Sequence, residues 1–136
     1  MQNLKNLSAA IIVQDALPIT TASATTNGTT IDTSLLPQAG DGTFIVKAGA
    51  LGGGTVTFKV QESADNFTTP VDVAGTSVVA VAGTPVAISL VRESRARYLR
   101  VVATLAGATN ATFSAVFVSY ALKAQPKVGT TPIVIG

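Results

Sequence analysis

The sequence predicts an all-β fold, an antiparallel β-sandwich or jelly roll, and three observations support this prediction. Apolar and polar residues alternate with a period of two through most of the chain after residue 29. Glycine-rich turns separate about eight short segments of this kind, and almost no segment follows a helical period. Valine, threonine and isoleucine, which suit a pleated and half-buried surface, are abundant in these segments.

The alternation is clearest in two neighbouring segments, and Leu51–Gly54 between them predicts a hairpin turn. An earlier strand is predicted over residues 29–36, where Ile31, Thr33 and Leu35 alternate with polar residues. Later strands are predicted over residues 71–73, 77–82, 85–91, 98–105 and 112–122. The side chains predicted to point into the core are Phe44, Val46 and Ala48 in the first clear segment and Val56, Phe58 and Val60 in the second.

The composition divides the chain into three parts. Residues 1–27 carry apolar side chains without a clean period, Pro18 interrupts them, and a polar stretch follows. We therefore expect an extended N-terminal arm over residues 1–27, a β-sandwich domain over 28–123 and an extended C-terminal tail over 124–136.

The chain carries few charges for its size. Only 12% of its 136 residues are charged and 47% are hydrophobic, whereas a soluble domain usually has about 25% charged residues. This balance favours a chain that buries part of its surface against copies of itself or another protein. No apolar run approaches the roughly 18 residues of a membrane span, so no membrane partner is predicted. The net charge is +2, and the basic residues neither cluster extensively nor lie among aromatic residues. No nucleic-acid partner is therefore predicted.

Histidine and cysteine are absent, which excludes the common nucleophile–base systems and thiolate or imidazole metal sites. We therefore predict no enzyme activity, no cofactor and no metal site. Glu62, Asp65 and Asn66 lie close together in the sequence, but a turn stabilised by local hydrogen bonds is favoured over a calcium loop. The carboxylates are Asp15, Asp32, Asp41, Glu62, Asp65, Asp72 and Glu93, without a pair predicted to face each other across a cleft.

Four arginines lie within nine positions of one another. Two interpretations of this cluster stay open: a surface that binds an acidic partner, or a solvated turn with Glu93 interspersed. The four residues are Arg92, Arg95, Arg97 and Arg100.

Three stretches, Val56–Gly75, Ala80–Leu90 and Arg97–Ala121, resemble small proteins encoded beside the major capsid gene of tailed bacteriophages. Those proteins are capsid decoration, or cement, proteins. The matching features are a strand that ends in Gln-Glu-Ser-Ala-Asp, a Val-Asp-Val-Ala-Gly turn, and a Tyr-Leu-Arg-Val-Val strand before a last apolar strand. The resemblance covers roughly residues 43–123 and leaves the arm and the tail outside it.

The resemblance implies a structural virion protein on the outer surface of the capsid, assembled in the host cytoplasm. Such a protein, often a homotrimer, binds the major capsid protein and stabilises the lattice by bridging capsomers. The residues predicted to bind the capsid or another partner are Leu4, Leu7, Ile11, Ile12 and Val13 in the arm and Arg92, Arg95 and Arg97 in the charged turn.

An alternative function is a carbohydrate-binding or adhesion module of a phage tail or fibre. The strand that begins at Arg97 is similar to a strand of discoidin-like carbohydrate-binding jelly rolls. Phe67 is the one aromatic side chain predicted to reach a binding loop in that case.

Overall fold

The computed structural model describes residues 11–35, 41–91, 95–120 and 134–135. Within these residues the chain is all-β, with one short 3-10 helix over Thr33–Leu35 and no α-helix. The strands are β1 (Ile11–Ala22), β2 (Thr26–Asn27), β3 (Ile31–Asp32), β4 (Asp41–Ala48), β5 (Thr55–Ser63), β6 (Val71–Asp72), β7 (Val78–Val79), β8 (Val86–Leu90), β9 (Tyr98–Ala106), β10 (Ala111–Tyr120) and β11 (Val134–Ile135).

The strands form two sheets. Sheet A has the order β1-β10-β4-β8-β11, and sheet B has the order β2-β9-β5-β6, with β3 also paired to β9 and β7 to β5. All pairs are antiparallel except β11 with β8, which is parallel. The predicted all-β fold with antiparallel sheets is confirmed.

The two sheets pack their inner faces into one hydrophobic core, which gives a β-sandwich-like arrangement. Phe58 of sheet B meets Phe113 of sheet A with ring centroids 6.2 Å apart. Phe44 and Phe117, on adjacent strands of sheet A, lie 4.7 Å apart. All four rings are almost fully buried, and burial of each stabilises the fold by about 1.5–3 kcal/mol.

The two segments with the clearest alternation form β4 and β5. The side chains predicted to point inward are buried, and this prediction is confirmed. They are Phe44, Val46 and Ala48 in β4 and Val56, Phe58 and Val60 in β5.

The predicted hairpin between these strands is wrong, because β4 belongs to sheet A and β5 to sheet B. Residues 49–54 instead carry the chain from one sheet to the other. Gly52 adopts a φ of 64°, and a Cβ there would overlap the carbonyl oxygen of Thr109 in the connection between β9 and β10. The Gly52 carbonyl also accepts a hydrogen bond of 3.1 Å from the Thr109 amide. A glycine is therefore required where these two connections cross.

The strand predicted over residues 29–36 is shorter than expected. Pairing with β9 covers only Ile31 and Asp32. The Asp32 carboxylate then accepts hydrogen bonds from the amide and the hydroxyl of Ser34, which turns the backbone into the 3-10 helix. Leu35 is consequently exposed, although the alternation placed it on the face of Ile31.

The segment expected to be an arm contributes a strand of sheet A. β1 pairs with β10 along its full length, from Ile11 opposite Tyr120 to Ala22 opposite Ala111. Ala16 and Leu17 are both buried in the core. The boundary predicted at residue 27 therefore does not coincide with the edge of the packed sheets. In the predicted tail, the described residues are those of β11, beside β8, and the others lie outside the described ranges.

Candidate interaction surfaces

The topology gathers several predicted partner-binding residues at one end of the two sheets. Ile11, where β1 begins, pairs with Tyr120, where β10 ends. β8 also ends there at Leu90, and β9 begins there at Tyr98, opposite Ser63 at the end of β5. We call this the arginine end, because Arg95 and Arg97 lie in the connection between β8 and β9.

Arg97 forms a bidentate ion pair with Asp32. Its Nε and Nη2 atoms donate hydrogen bonds of 3.0 and 2.9 Å to the two carboxylate oxygens. The guanidinium also lies 4.9 Å from the centroid of the Tyr98 ring. Hydrogen bonds from Arg97, and then from Ser34, hold the pKa of Asp32 well below its usual range. The Arg97 side chain remains 53% exposed, so it presents a fixed cation at the surface.

Arg95 lies against the domain. Its Nη1 atom is 3.6 Å from Oε1 of Glu62, and both side chains are mostly buried. The other oxygen of Glu62 accepts a hydrogen bond of 2.8 Å from the Ala96 amide. Arg95 Nε is buried with no hydrogen-bond partner among the described residues. Glu62 therefore anchors the turn before β9 to β5.

A shallow depression of about 300 Å³ adjoins this anchor. The carboxylates of Glu62 and Asp65 line it together with Ser63, Thr69 and Ala96, among others. Asp65 accepts hydrogen bonds from the Ser63 hydroxyl and the Thr69 amide, at 2.6 and 2.9 Å. These contacts lower the pKa of Asp65. Asp65 thus stabilises local backbone, as the turn interpretation predicts, whereas Glu62 holds the distant turn before β9.

Phe67 is held in a strained loop on sheet B. Its φ is 66° and that of Asn66 is 54°, values that a bulky residue such as Phe rarely adopts. The Ser63 hydroxyl accepts a hydrogen bond of 2.9 Å from the Phe67 amide and fixes this conformation. The Arg100 guanidinium lies 4.2 Å from the ring centroid and covers one face of the ring. That face is therefore closed to the sugar stacking that the carbohydrate-binding alternative requires.

A chain of polar contacts continues from Arg100 across the outer face of sheet B. Its Nε and Nη2 atoms donate hydrogen bonds of 3.0 and 2.8 Å to Gln61. Gln61 donates to Asp72 at 2.8 Å, and Lys59 forms an ion pair with the same carboxylate at 2.9 Å. These hydrogen bonds lower the pKa of Asp72, and burial lowers the pKa of Arg100. The contacts stabilise the outer face of this sheet with its own residues.

The outer face of sheet A is apolar, unlike that of sheet B, and it was not predicted from the sequence as a surface. Its central positions are apolar, although their neighbours on the inner face are already buried in the core. A detectable signal was present, because strands that are apolar at both odd and even positions are typical of sheets covered on both sides. The residues are Val13, Ile45, Ala87, Val116 and Val118.

The described residues among those predicted to bind a partner therefore lie towards the arginine end but on different surfaces. Ile12 is half-buried and Val13 is exposed at the edge of sheet A, while Arg95 and Arg97 lie in the turn before β9. Leu4, Leu7 and Arg92 lie outside the described residues, and Ile11 is described only as the first residue of β1.

The described part of the chain contains no group of three or more metal-ligating acidic, histidine or cysteine side chains. It also contains no helix with the length and hydropathy needed to cross a membrane.

Comparison with known proteins found no matching family model, no matching curated protein and no matching solved structure.

Proposed function

We propose that this chain is a capsid decoration protein, a structural virion protein that binds the outside of a phage head and bridges capsomers. Its order of strands supports the proposal. Without the short strand β11, the order is β1-β10-β4-β8 in sheet A, and in sheet B it is β9-β5 flanked by β2 and β3 on one side and by β6 and β7 on the other. This order is compatible with the predicted jelly roll, an architecture common in viral capsid proteins and lectins.

The observation that carries the proposal is the convergence at the arginine end. The chain enters sheet A there, immediately after the N-terminal segment that contains Leu4 and Leu7. The exposed and rigidly held Arg97 lies at the same end. If the domain binds the capsid through this end, the start of β1, which follows Leu4 and Leu7 in the sequence, and a fixed cation face the same surface.

The mechanism combines two contacts with the major capsid protein. Residues 1–10 lie extended on the capsid surface, where Leu4 and Leu7 bury apolar area and the backbone pairs with a capsid strand. Arg97 contributes charge complementarity with an acidic patch. Several copies on one head increase the overall stability of the lattice through multivalent binding.

The test is co-sedimentation with purified phage heads that lack the protein. Deletion of residues 2–10 is expected to abolish binding while the fold remains, because β1 begins only at Ile11. A deletion that extends to residue 17 is unsuitable, since it removes the buried Ala16 and Leu17.

A matched pair of variants separates the effect of the apolar side chains on head binding from the effect of the length of the segment. Leu4→Ser with Leu7→Ser is expected to weaken head binding at least about tenfold, which corresponds to about 1.4 kcal/mol. Asn3→Ser with Asn6→Ser changes the same segment without removing apolar area and is expected to bind normally. Full occupancy of heads by the 2–10 deletion would contradict the proposed function.

A further inference from the structure

The outer face of sheet A carries an apolar patch that its own chain leaves open among the described residues. Val13 lies opposite Val118, and Val116 lies opposite both Asp15 and Ile45. Directly opposite residues project from the same side of a sheet. Since Phe117 and Ala115 point into the core, Val116 and Val118 point outward. Val13 is 63% exposed and Ile45 is 37% exposed.

Two opposite charges flank this patch on a diagonal. Asp15 lies on β1 opposite Val116, and Lys47 lies on β4 opposite Ser114. The two charged residues are therefore separated by one intervening strand, β10, and are displaced from each other by two residues along the strands. Both side chains are exposed, and neither forms an ion pair with another described residue. The order across the face is therefore acidic, apolar, basic.

This arrangement is complementary to itself. A twofold axis between two facing sheets exchanges the positions of Asp15 and Lys47, so that each meets the other residue on the second copy. The same axis passes close to Val116 and Ile45, which then meet the corresponding side chains of the second copy. Twofold contacts have this property, because each surface must match its own image.

We propose that a second copy of this chain binds here, with the outer faces of the two A sheets packed together about a twofold axis. Four strands at about 4.8 Å make the face about 19 Å wide, and eight residues at about 3.4 Å make it about 27 Å long. This area is of the same order as the roughly 800 Å² per partner of a standard interface. The patch is apolar at its centre and charged at its rim, as homodimer interfaces are.

The pairing goes beyond the proposed function and does not depend on it, because the face of sheet A and the arginine end are separate surfaces. The resemblance to decoration proteins implies a homotrimer, whereas this geometry points to a pair. Binding to heads through residues 1–10 and pairing through sheet A are therefore tested independently.

The experiment is sedimentation equilibrium of the full chain, with a charge exchange across the interface. The unmodified chain is expected to sediment at twice its mass of 13.7 kDa. Asp15→Lys and Lys47→Asp are each expected to raise the dissociation constant at least about tenfold through like-charge repulsion. The double variant restores opposite charges and is expected to return the dissociation constant to within about threefold of the original.

Thr104→Asp is the matched control, because Thr104 is exposed on sheet B and its substitution also introduces a charge. It is expected to leave the pair intact. Ile45→Thr keeps a β-branched side chain, removes apolar area at the centre and is expected to dissociate the pair. Circular dichroism with thermal unfolding checks the fold of each variant.

The proposal is overturned by a monomer at every concentration, by a mass of three chains, or by single charge variants that pair normally. A double variant that associates no better than the single variants overturns it as well.

Discussion

At the scale of single residues, the Asp32–Arg97 ion pair links stability to pH. Hydrogen bonds from Arg97 and Ser34 lower the pKa of Asp32 in the folded chain, whereas the unfolded chain keeps a pKa of about 3.9. As the pH falls below that value, the unfolded state binds the proton first. The stabilisation is therefore complete above about pH 4 and decreases as the pH falls towards the folded-state pKa.

We predict that Asp32→Asn flattens the dependence of stability on pH between about pH 5 and pH 2. Urea denaturation at a series of pH values measures this slope. Arg97→Gln removes the main hydrogen-bond donor and is expected to flatten the slope as well. The double variant should change the slope no more than Asp32→Asn alone does, because both substitutions remove the same interaction. A slope unchanged by Asp32→Asn would contradict this account.

The sequence places the arginines close together but does not reveal the separate roles of Arg95, Arg97 and Arg100. Arg97 binds a carboxylate 65 positions earlier in the chain, and Arg100 binds an amide 39 positions earlier. Arg95 is held by Glu62, which lies next to Gln61 on β5. Such partners are set by strand register, which a local pattern of charges does not encode. Among the arginines of the cluster that the structure describes, only Arg97 keeps the exposure expected of a partner-binding cation.

At the scale of elements, β1 illustrates why a strand was not recognised in the sequence. Its register with β10 shifts between Asp15 and Leu17 and again between Leu17 and Thr20. These irregularities let the adjacent residues Ala16 and Leu17 both face the core, which breaks the alternation that identifies a strand. Where strands are regular, as in β4 and β5, alternation correctly predicted the buried residues.

A pair of substitutions within β1 tests this placement. Leu17→Ala is expected to lower the free energy of unfolding by about 2–4 kcal/mol, because Leu17 is only 2% exposed and its truncation leaves a cavity. Ile19, two positions further on, is 83% exposed, so Ile19→Ala is expected to change it by less than about 0.5 kcal/mol. Chemical denaturation measures both. Equal effects of the two substitutions would show that β1 does not pack as described.

Connections between strands were predicted less well than the strands themselves. A glycine-rich turn between two alternating segments is compatible with a hairpin and with a crossing between sheets. The deciding contact, between Gly52 and Thr109, joins two distant connections. The sequence therefore predicted the fold class and much of the core but not the arrangement of strands. The apolar outer face of sheet A follows from that arrangement and was missed for the same reason.

At the scale of the whole molecule, the fold depends on contacts between residues far apart in the chain. β10 lies between β1 and β4, so the last long strand separates two strands from the first third of the sequence. β9 similarly joins the short strands β2 and β3 to β5. Sheet A therefore cannot form its central strand pairs without β10, and sheet B cannot form its own without β9. Folds dominated by such distant pairing fold slowly and unfold as one unit.

We therefore predict that a chain ending at Gly107, which lacks β10, does not fold. Its removal exposes the inner face of sheet A, because Phe113, Ala115 and Phe117 are all buried in the core. A chain ending at Lys123 keeps β1 to β10 and is the control, expected to unfold in a single cooperative transition. Thermal unfolding followed by circular dichroism distinguishes the two. A cooperative transition in the shorter chain would mean that sheet B and the strands before β10 form an independent unit. The prediction that folding requires β10 would then be wrong.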